Sequence, residues 1–236
     1  MRKAKTSLEP QQERSRESLR NLLRAATEVL GQHGVEGTTI PRIAEHAGLT
    51  PGAVYRRFRD KDALLEAAIL GILERQDERL KGGLTPALAA KIPLDVFAAQ
   101  LVGGMVTTYR ANAALLRACR QFTQARAETE FARKATKLEV RSFERVLDLI
   151  LASRKDIKHP NPRIAVALGL VMIINTLFDL VVMPTHLWEW KELLPRDDQA
   201  LKRELTRAFL RYLEVDAAAG ASGGLEAPSR ARRRRV

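Results

Sequence analysis

A chain of 236 residues, 45% of them hydrophobic, is long enough to bury one large core or two small ones. Its net charge of +12 favours polyanions, either nucleic acid or an anionic membrane surface. A single cysteine, Cys119, excludes an internal disulfide; beside Leu115, Leu116 and Phe122 it reads as a small core side chain rather than a reactive thiol.

The opening MRKAKTSLEPQQERSRES is charged and polar, and no apolar stretch follows that would serve as a signal peptide. Residues 1–16 are expected to form a flexible basic arm, with Arg2, Lys3, Lys5, Arg14 and Arg16 available to phosphate. A first helix is predicted from about Glu17 to His33. Leu19, Leu22, Leu23, Ala26, Val29 and Leu30 recur at spacings of three and four, and Gly34 suits its C-cap. Gly37, Thr38 and Thr39 then turn the chain. Thr39 fits the N-cap of a second helix, with Pro41 in its first turn and Ile43, Ala44 and Ala47 facing inward.

The stretch LTPGAVYRRF, residues 49–58, first suggests a turn. Thr50 as a cap, Pro51 at the first helical position, and Val54 and Phe58 four apart make it a helix start instead. Two short helices joined by a tight turn at Gly48 form a helix-turn-helix. Asp60 caps a fourth helix bearing Leu64, Leu65, Ala68, Ile69, Ile72 and Leu73 on one face.

Residues 82–93 hold two glycines and two prolines and read as a hinge or domain boundary. Longer helices are expected at about 94–111, 113–127, 129–154, 161–183 and 196–215. Residues 164–183 approach membrane-span length, but Asn175, Thr176 and Asp179 interrupt the run. A helix buried on most sides, within a core or between subunits, is the preferred reading, with no membrane partner. Residues 216–236 are expected to be a disordered basic tail ending in RARRRR. No strand pattern or hairpin turn is evident, so the fold class is all-α.

The segment TTIPRIAEHAGLTPGAVYRRFRDKDALLEAAI, residues 38–69, resembles the DNA-binding domain of TetR-family transcriptional regulators. The Thr-Thr turn, the I-A-x-x-A-G second helix, the T-x-G-x-V-Y third helix and the K-x-x-L-L opening of the fourth all agree in type and spacing. One position departs: Arg57 stands where the family's usual histidine precedes the phenylalanine, so its role does not carry over. The resemblance covers roughly residues 17–73. It implies a helix-turn-helix DNA-binding domain at 17–62 and a larger helical ligand-binding and dimerisation domain at 63–215, with 63–81 as the connecting helix.

The chemistry of these residues agrees. A recognition helix must expose its leading end to a major groove. Gly52 and Ala53 let the backbone approach closely, and free N–H groups there suit phosphate. Tyr55 lies at the edge of the buried face, its hydroxyl a candidate phosphate ligand and plain packing the alternative. Arg56 points outward, where a guanidinium can bond guanine bidentately. Arg42 suits either base or phosphate, the family commonly places a phosphate contact at the position of Lys61, and Arg57 or Arg59 adds another. The set expected at DNA is Thr39, Arg42, Thr50, Pro51, Gly52, Ala53, Tyr55, Arg56, Arg57 and Lys61.

One helix-turn-helix reads a half-site, so a homodimer on a near-palindromic operator is expected, paired through helices 161–183 and 196–215. The resemblance implies a small-molecule effector site in the second domain. Met105, Tyr109, Phe122, Phe143, Asn175, Phe178 and Asp179 are candidates to line it, around an effector expected to be largely apolar.

Other classes fare worse. His33, His46, His159 and His186 are scattered without metal-ligand spacing, and no nucleophile elbow, P-loop or dinucleotide fingerprint occurs, so neither an enzyme nor a cofactor is expected. A nonspecific nucleoid-like binder would rest on charge alone, and a membrane-anchored regulator on residues 164–183 alone. The expectation is a cytoplasmic, ligand-responsive repressor.

Overall fold

The computed structural model describes residues 8–183, 190, 192–195 and 197–215. Helix α1 spans Leu8–Gly37 and breaks at Gly34, whose φ of 67° favours glycine. Thr38, fully buried, donates its hydroxyl to the Gly34 carbonyl at 2.6 Å and closes that break. The helix starts well before the expected Glu17, so residues 8–16 are helical rather than a flexible arm. QQERSRES contains no glycine, and Pro10 falls in the first turn, where its missing N–H costs little. Arg2, Lys3, Lys5 and the whole 216–236 tail lie outside the described residues.

Helix α2 (Ile40–His46) starts at Thr39, whose side chain accepts from the Arg42 N–H at 3.4 Å. Gly48, at φ 65°, then turns the chain, and the Leu49 N–H reaches the Ala44 carbonyl at 2.8 Å. Helix α3 (Pro51–Tyr55) is capped by Thr50, which accepts from the Ala53 N–H at 3.2 Å. Helix α4 (Lys61–Lys81) is capped by Asp60, which accepts from the Ala63 N–H at 2.7 Å. Leu22, Ala26, Val29, Ile43, Ala44, Val54, Leu64 and Ala68 meet in one core. Each of the larger side chains there contributes about 1.5–3 kcal/mol on burial. Because α4 supplies Leu64 and Ala68, the expected divide between residues 62 and 63 cuts through a packed unit.

The segment expected as a hinge is anchored. Thr85 caps a short helix α5 (Pro86–Ala89), and Ala89 is buried in the second core, with Leu84 and Ile92 packed against it. Helices α6 (Leu94–Ala111), α7 (Ala113–Gln124) and α8 (Glu130–Leu151) follow, then a 3-10 turn at Arg154–Asp156. Helix α9 (Pro162–Leu177) runs on into a single π-helical turn, Phe178–Val182, and α10 (Asp198–Tyr212) ends the described chain. Phe97, Val102, Val106, Ile150, Leu170, Ile173, Leu177 and Phe209 form this larger core. Helices α9 and α10 touch closely at Gly169, where a Cβ would stand 2.6 Å from the Phe209 ring. No strand occurs among the described residues, so the fold is all-α, a helix-turn-helix unit joined to a larger helical domain.

A third cluster joins the two units. Leu30, Leu65 and Ile69 of α1 and α4 pack with Ala118, Phe122 and Phe131 of α7 and α8. An Arg126–Asp62 ion pair spans the same junction, with the Arg126 guanidinium 3.6 Å from the Phe122 ring centroid. Farther along α4, buried Asp77 accepts from Arg145 of α8 at 2.8 Å.

Helix α9 and its π-turn form a segment long and apolar enough to cross a membrane. Its Ala165, Val166, Leu170, Ile173 and Leu177 are core residues, while Ile164, Leu168, Val171 and Met172 are exposed. Within the single chain the helix is thus buried along one face.

Candidate nucleic-acid interface

Helix α3 is short because Val54 and Phe58 hold it from beneath and little else needs burying. Val54 is fully buried and Phe58 packs against the same core. The leading end faces solvent: Thr50, Pro51 and Gly52 are exposed, and Ala53 is half-buried. A Cβ added at Gly52 would meet nothing within 4 Å. Tyr55 is 55% exposed, which removes the plain-core alternative for its ring. Arg56 is exposed as well; its N–H closes the helix on the Gly52 carbonyl at 3.2 Å, but its guanidinium forms no hydrogen bond or ion pair among the described residues.

The remaining cations are held in place by the fold. Arg42 donates through Nη1 to the Gly37 carbonyl. Lys61 donates its ammonium to the Val35 carbonyl at 3.2 Å, which spends one of its three donors. Arg59 pairs with Asp60 at 2.9 Å. The Asp60 carboxyl is held below the usual carboxylate range, first by the Ala63 N–H and then by Arg59. Arg57 turns away to Ser15 of α1, at 3.1 and 3.4 Å. The fold thus brings an exposed α3 end, Thr39, Arg42, Lys61 and Arg56 to one helix-turn-helix, with Arg57 directed elsewhere.

The candidate effector residues divide. Tyr109 and Phe178 meet edge to face, 5.5 Å between ring centroids, and Arg120 stacks 4.6 Å from the Phe178 centroid. Burial raises the Tyr109 hydroxyl pKa above its ordinary value, with the Arg120 charge opposing the shift and the nearby Glu139 adding to it. Met105 and Phe143 are half-buried against the larger core. Phe122 belongs to the inter-unit cluster, edge to face with Phe131 at 5.7 Å, not to the Tyr109–Phe178 pair. Asn175 and Asp179 are exposed and extend the outward stripe of α9. Arg117, Arg120 and Glu139 escaped the sequence reading, because charged residues on an amphipathic helix read as solvated surface. Burial pushes the Cys119 thiol up to about 11, as suits a packed rather than reactive side chain. Among the described residues no group of His, Cys, Asp or Glu is placed to hold a metal ion.

A compact helix-turn-helix with the leading end of its second helix exposed and cations around it defines a DNA-binding protein. Residues 22–68 match the family model described as bacterial regulatory proteins, tetR family. The BetI transcriptional regulator of Stenotrophomonas maltophilia is 31% identical over 158 residues, covering 66% of this chain and 77% of that protein. BetI of Cronobacter sakazakii is 26% identical over 160 residues, 67% of this chain and 76% of that protein. The fold resembles that of a TetR-family regulator from Mesorhizobium loti, with TM-score 0.61, 22% identity and coverage of 84% and 97%. It also resembles the fatty acid degradation regulator FadR from Bacillus halodurans, with TM-score 0.55, 19% identity and coverage of 81% and 94%.

The chain belongs to the TetR family of bacterial transcriptional regulators. It is a DNA-binding regulator and not an enzyme. Members of the family bind DNA as dimers and respond to small molecules.

Proposed function

We propose that the protein is a cytoplasmic repressor that binds a near-palindromic operator as a homodimer and releases it when a small, largely apolar effector enters the helical domain. The observation that carries the DNA half is the exposed leading end of α3, with Gly52 open and Arg56 uncommitted. In this reading Thr50, Pro51, Gly52 and Ala53 face the groove, Tyr55 and Lys61 take phosphates, and Arg56 reads a base edge, with Thr39 and Arg42 beside them. Occupancy of a promoter by a dimer is enough to block polymerase.

The dimer half rests on the outward stripe of α9. Ile164, Leu168, Val171 and Met172 are 59%, 45%, 41% and 44% exposed and fall on one helical face. Asn175 and Asp179 continue it, and α10 exposes Arg203, Glu204, Arg207 and Arg211. An apolar centre with a polar rim is the usual make-up of such an interface. The aromatic pair Tyr109–Phe178, with Arg120 and Glu139 beside it, is the favoured effector region; Met105 and Phe143 line the adjoining core.

Sedimentation of the wild type and of a Leu168→Glu/Met172→Glu variant tests the pairing. The wild type should sediment as a dimer. The variant should sediment as a folded monomer with at least tenfold weaker operator binding. A monomeric wild type, or a variant that stays dimeric, would remove α9 from the interface.

A further inference from the structure

Arg57 ends the turn that closes α3, where its N–H donates to the Val54 carbonyl at 2.9 Å. Its guanidinium does not continue outward. Nη1 donates to the Ser15 carbonyl at 3.1 Å and Nη2 to the Ser15 hydroxyl at 3.4 Å, across 42 residues of sequence. Ser15 lies about two helical turns ahead of Leu22, which is fully buried in the helix-turn-helix core. Residues 12–17 are all exposed, so this part of α1 projects past the core. The leading turns of a helix fray where nothing packs against them, because their first N–H groups lack intrahelical partners. The two bonds from Arg57 support this segment and fix its direction.

Direction matters because of the charges around Ser15. At about 100° per residue, Arg14 and Arg16 lie about 100° to either side of Ser15. Glu13 and Glu17 fall about 160° away from it, on the opposite face. The side held against α3 is therefore flanked by two cations, and the carboxylates point away. A guanidinium can engage a carbonyl and a hydroxyl at once, which an ammonium at the end of a flexible stem does less well.

We propose that Arg57 is a positioning residue for DNA binding: it fixes the leading segment of α1 beside the recognition helix so that Arg14 and Arg16 bind backbone phosphates flanking the half-site. The proposal rests on the reading of α3 as the recognition helix. Arg57 itself touches no base. It extends the electrostatic footprint of a short helix-turn-helix without altering what that helix reads.

The test uses the full chain and its selected operator, with binding followed across a salt series. An Arg14→Ala/Arg16→Ala variant should flatten the slope of log K against log[salt] by about 2, at about 0.9 per phosphate lost. Arg57→Ala should lose most of the same increment, and Arg57→Lys part of it. Combining all three alanines should match the arginine-pair variant instead of adding to it, and base preference should be unchanged throughout. In DNA-free protein, amides of residues 12–17 should exchange faster in Arg57→Ala than in the wild type. Strictly additive losses would give Arg57 a phosphate of its own and overturn the proposal. An unchanged slope in the arginine-pair variant, or unchanged exchange, would overturn it too. A wild type that selects no operator at all would instead sink the reading of α3.

Discussion

The Arg117 guanidinium on α7 donates twice to the Val182 carbonyl, through Nε at 2.9 Å and Nη2 at 2.6 Å. Three residues on, Arg120 covers the Phe178 ring, so α7 grips both ends of the π-turn that finishes α9. The same helix meets the DNA-binding unit: Ala118 and Phe122 pack with Leu30, Leu65 and Ile69, and Leu115 lies against Gly31. One helix therefore contacts the proposed effector region and the helices that carry the recognition unit. π-turns within α-helices often mark functional positions.

Arg117→Ala should release the Val182 carbonyl at a cost of about 1.5 kcal/mol, in the range of a charge-assisted hydrogen bond. Amides of residues 178–183 should exchange faster, operator affinity should shift, and base preference should stay the same. Hydrogen exchange and operator titration check this. Unchanged exchange across the π-turn would show that the clamp holds nothing.

Gly52 separates stability from DNA binding. A Cβ there meets no protein atom within 4 Å, and alanine is the better helix former by about 1 kcal/mol. Gly52→Ala should therefore leave the Tm unchanged or raise it, while operator affinity falls at least tenfold. Thermal denaturation and gel-shift titration on one preparation give both readings. Full affinity in this variant would place the backbone of α3 farther from DNA than proposed.

Asp77 predicts a pH dependence. The hydrogen bond from Arg145 holds its carboxyl below the ordinary value of 3.8, with the Arg145 charge acting in the same direction. The folded group therefore titrates below the unfolded one. Its stabilisation is fully present above the unfolded pKa of about 4 and is lost as pH falls through the lower folded pKa. The Tm gap between wild type and Asp77→Asn should be constant near neutrality and close below about pH 4. A gap independent of pH would deny the pair its charge.

Much of this was legible in the chain. Thr39, Thr50 and Asp60 each announce a helix start, and the three caps form as their spacing predicts. Val54 and Phe58 fix which side of α3 is buried, leaving Tyr55 and Arg56 outside. The rest depended on partners far away in sequence. Phe122 looked like a pocket aromatic, yet Leu30 and Leu65 claim it for the inter-unit cluster. Gly82, Gly83, Pro86 and Pro93 looked like a hinge, but Ala89 is buried and anchors the segment to the core. Arg57 carried no local signal of Ser15, nor Arg117 of Val182, because a hydrogen bond to a distant carbonyl leaves no period in the sequence.

Selection from a randomised duplex library at fixed salt, followed by sequencing of the retained fragments, tests the central claim most directly. The wild type should enrich one near-palindromic sequence, and Arg56→Ala should relax preference at one symmetric pair of positions by about 1–3 kcal/mol while leaving the palindrome recognisable. Equal retention of all fragments by the wild type would contradict the account and reduce the basic chain to nonspecific binding.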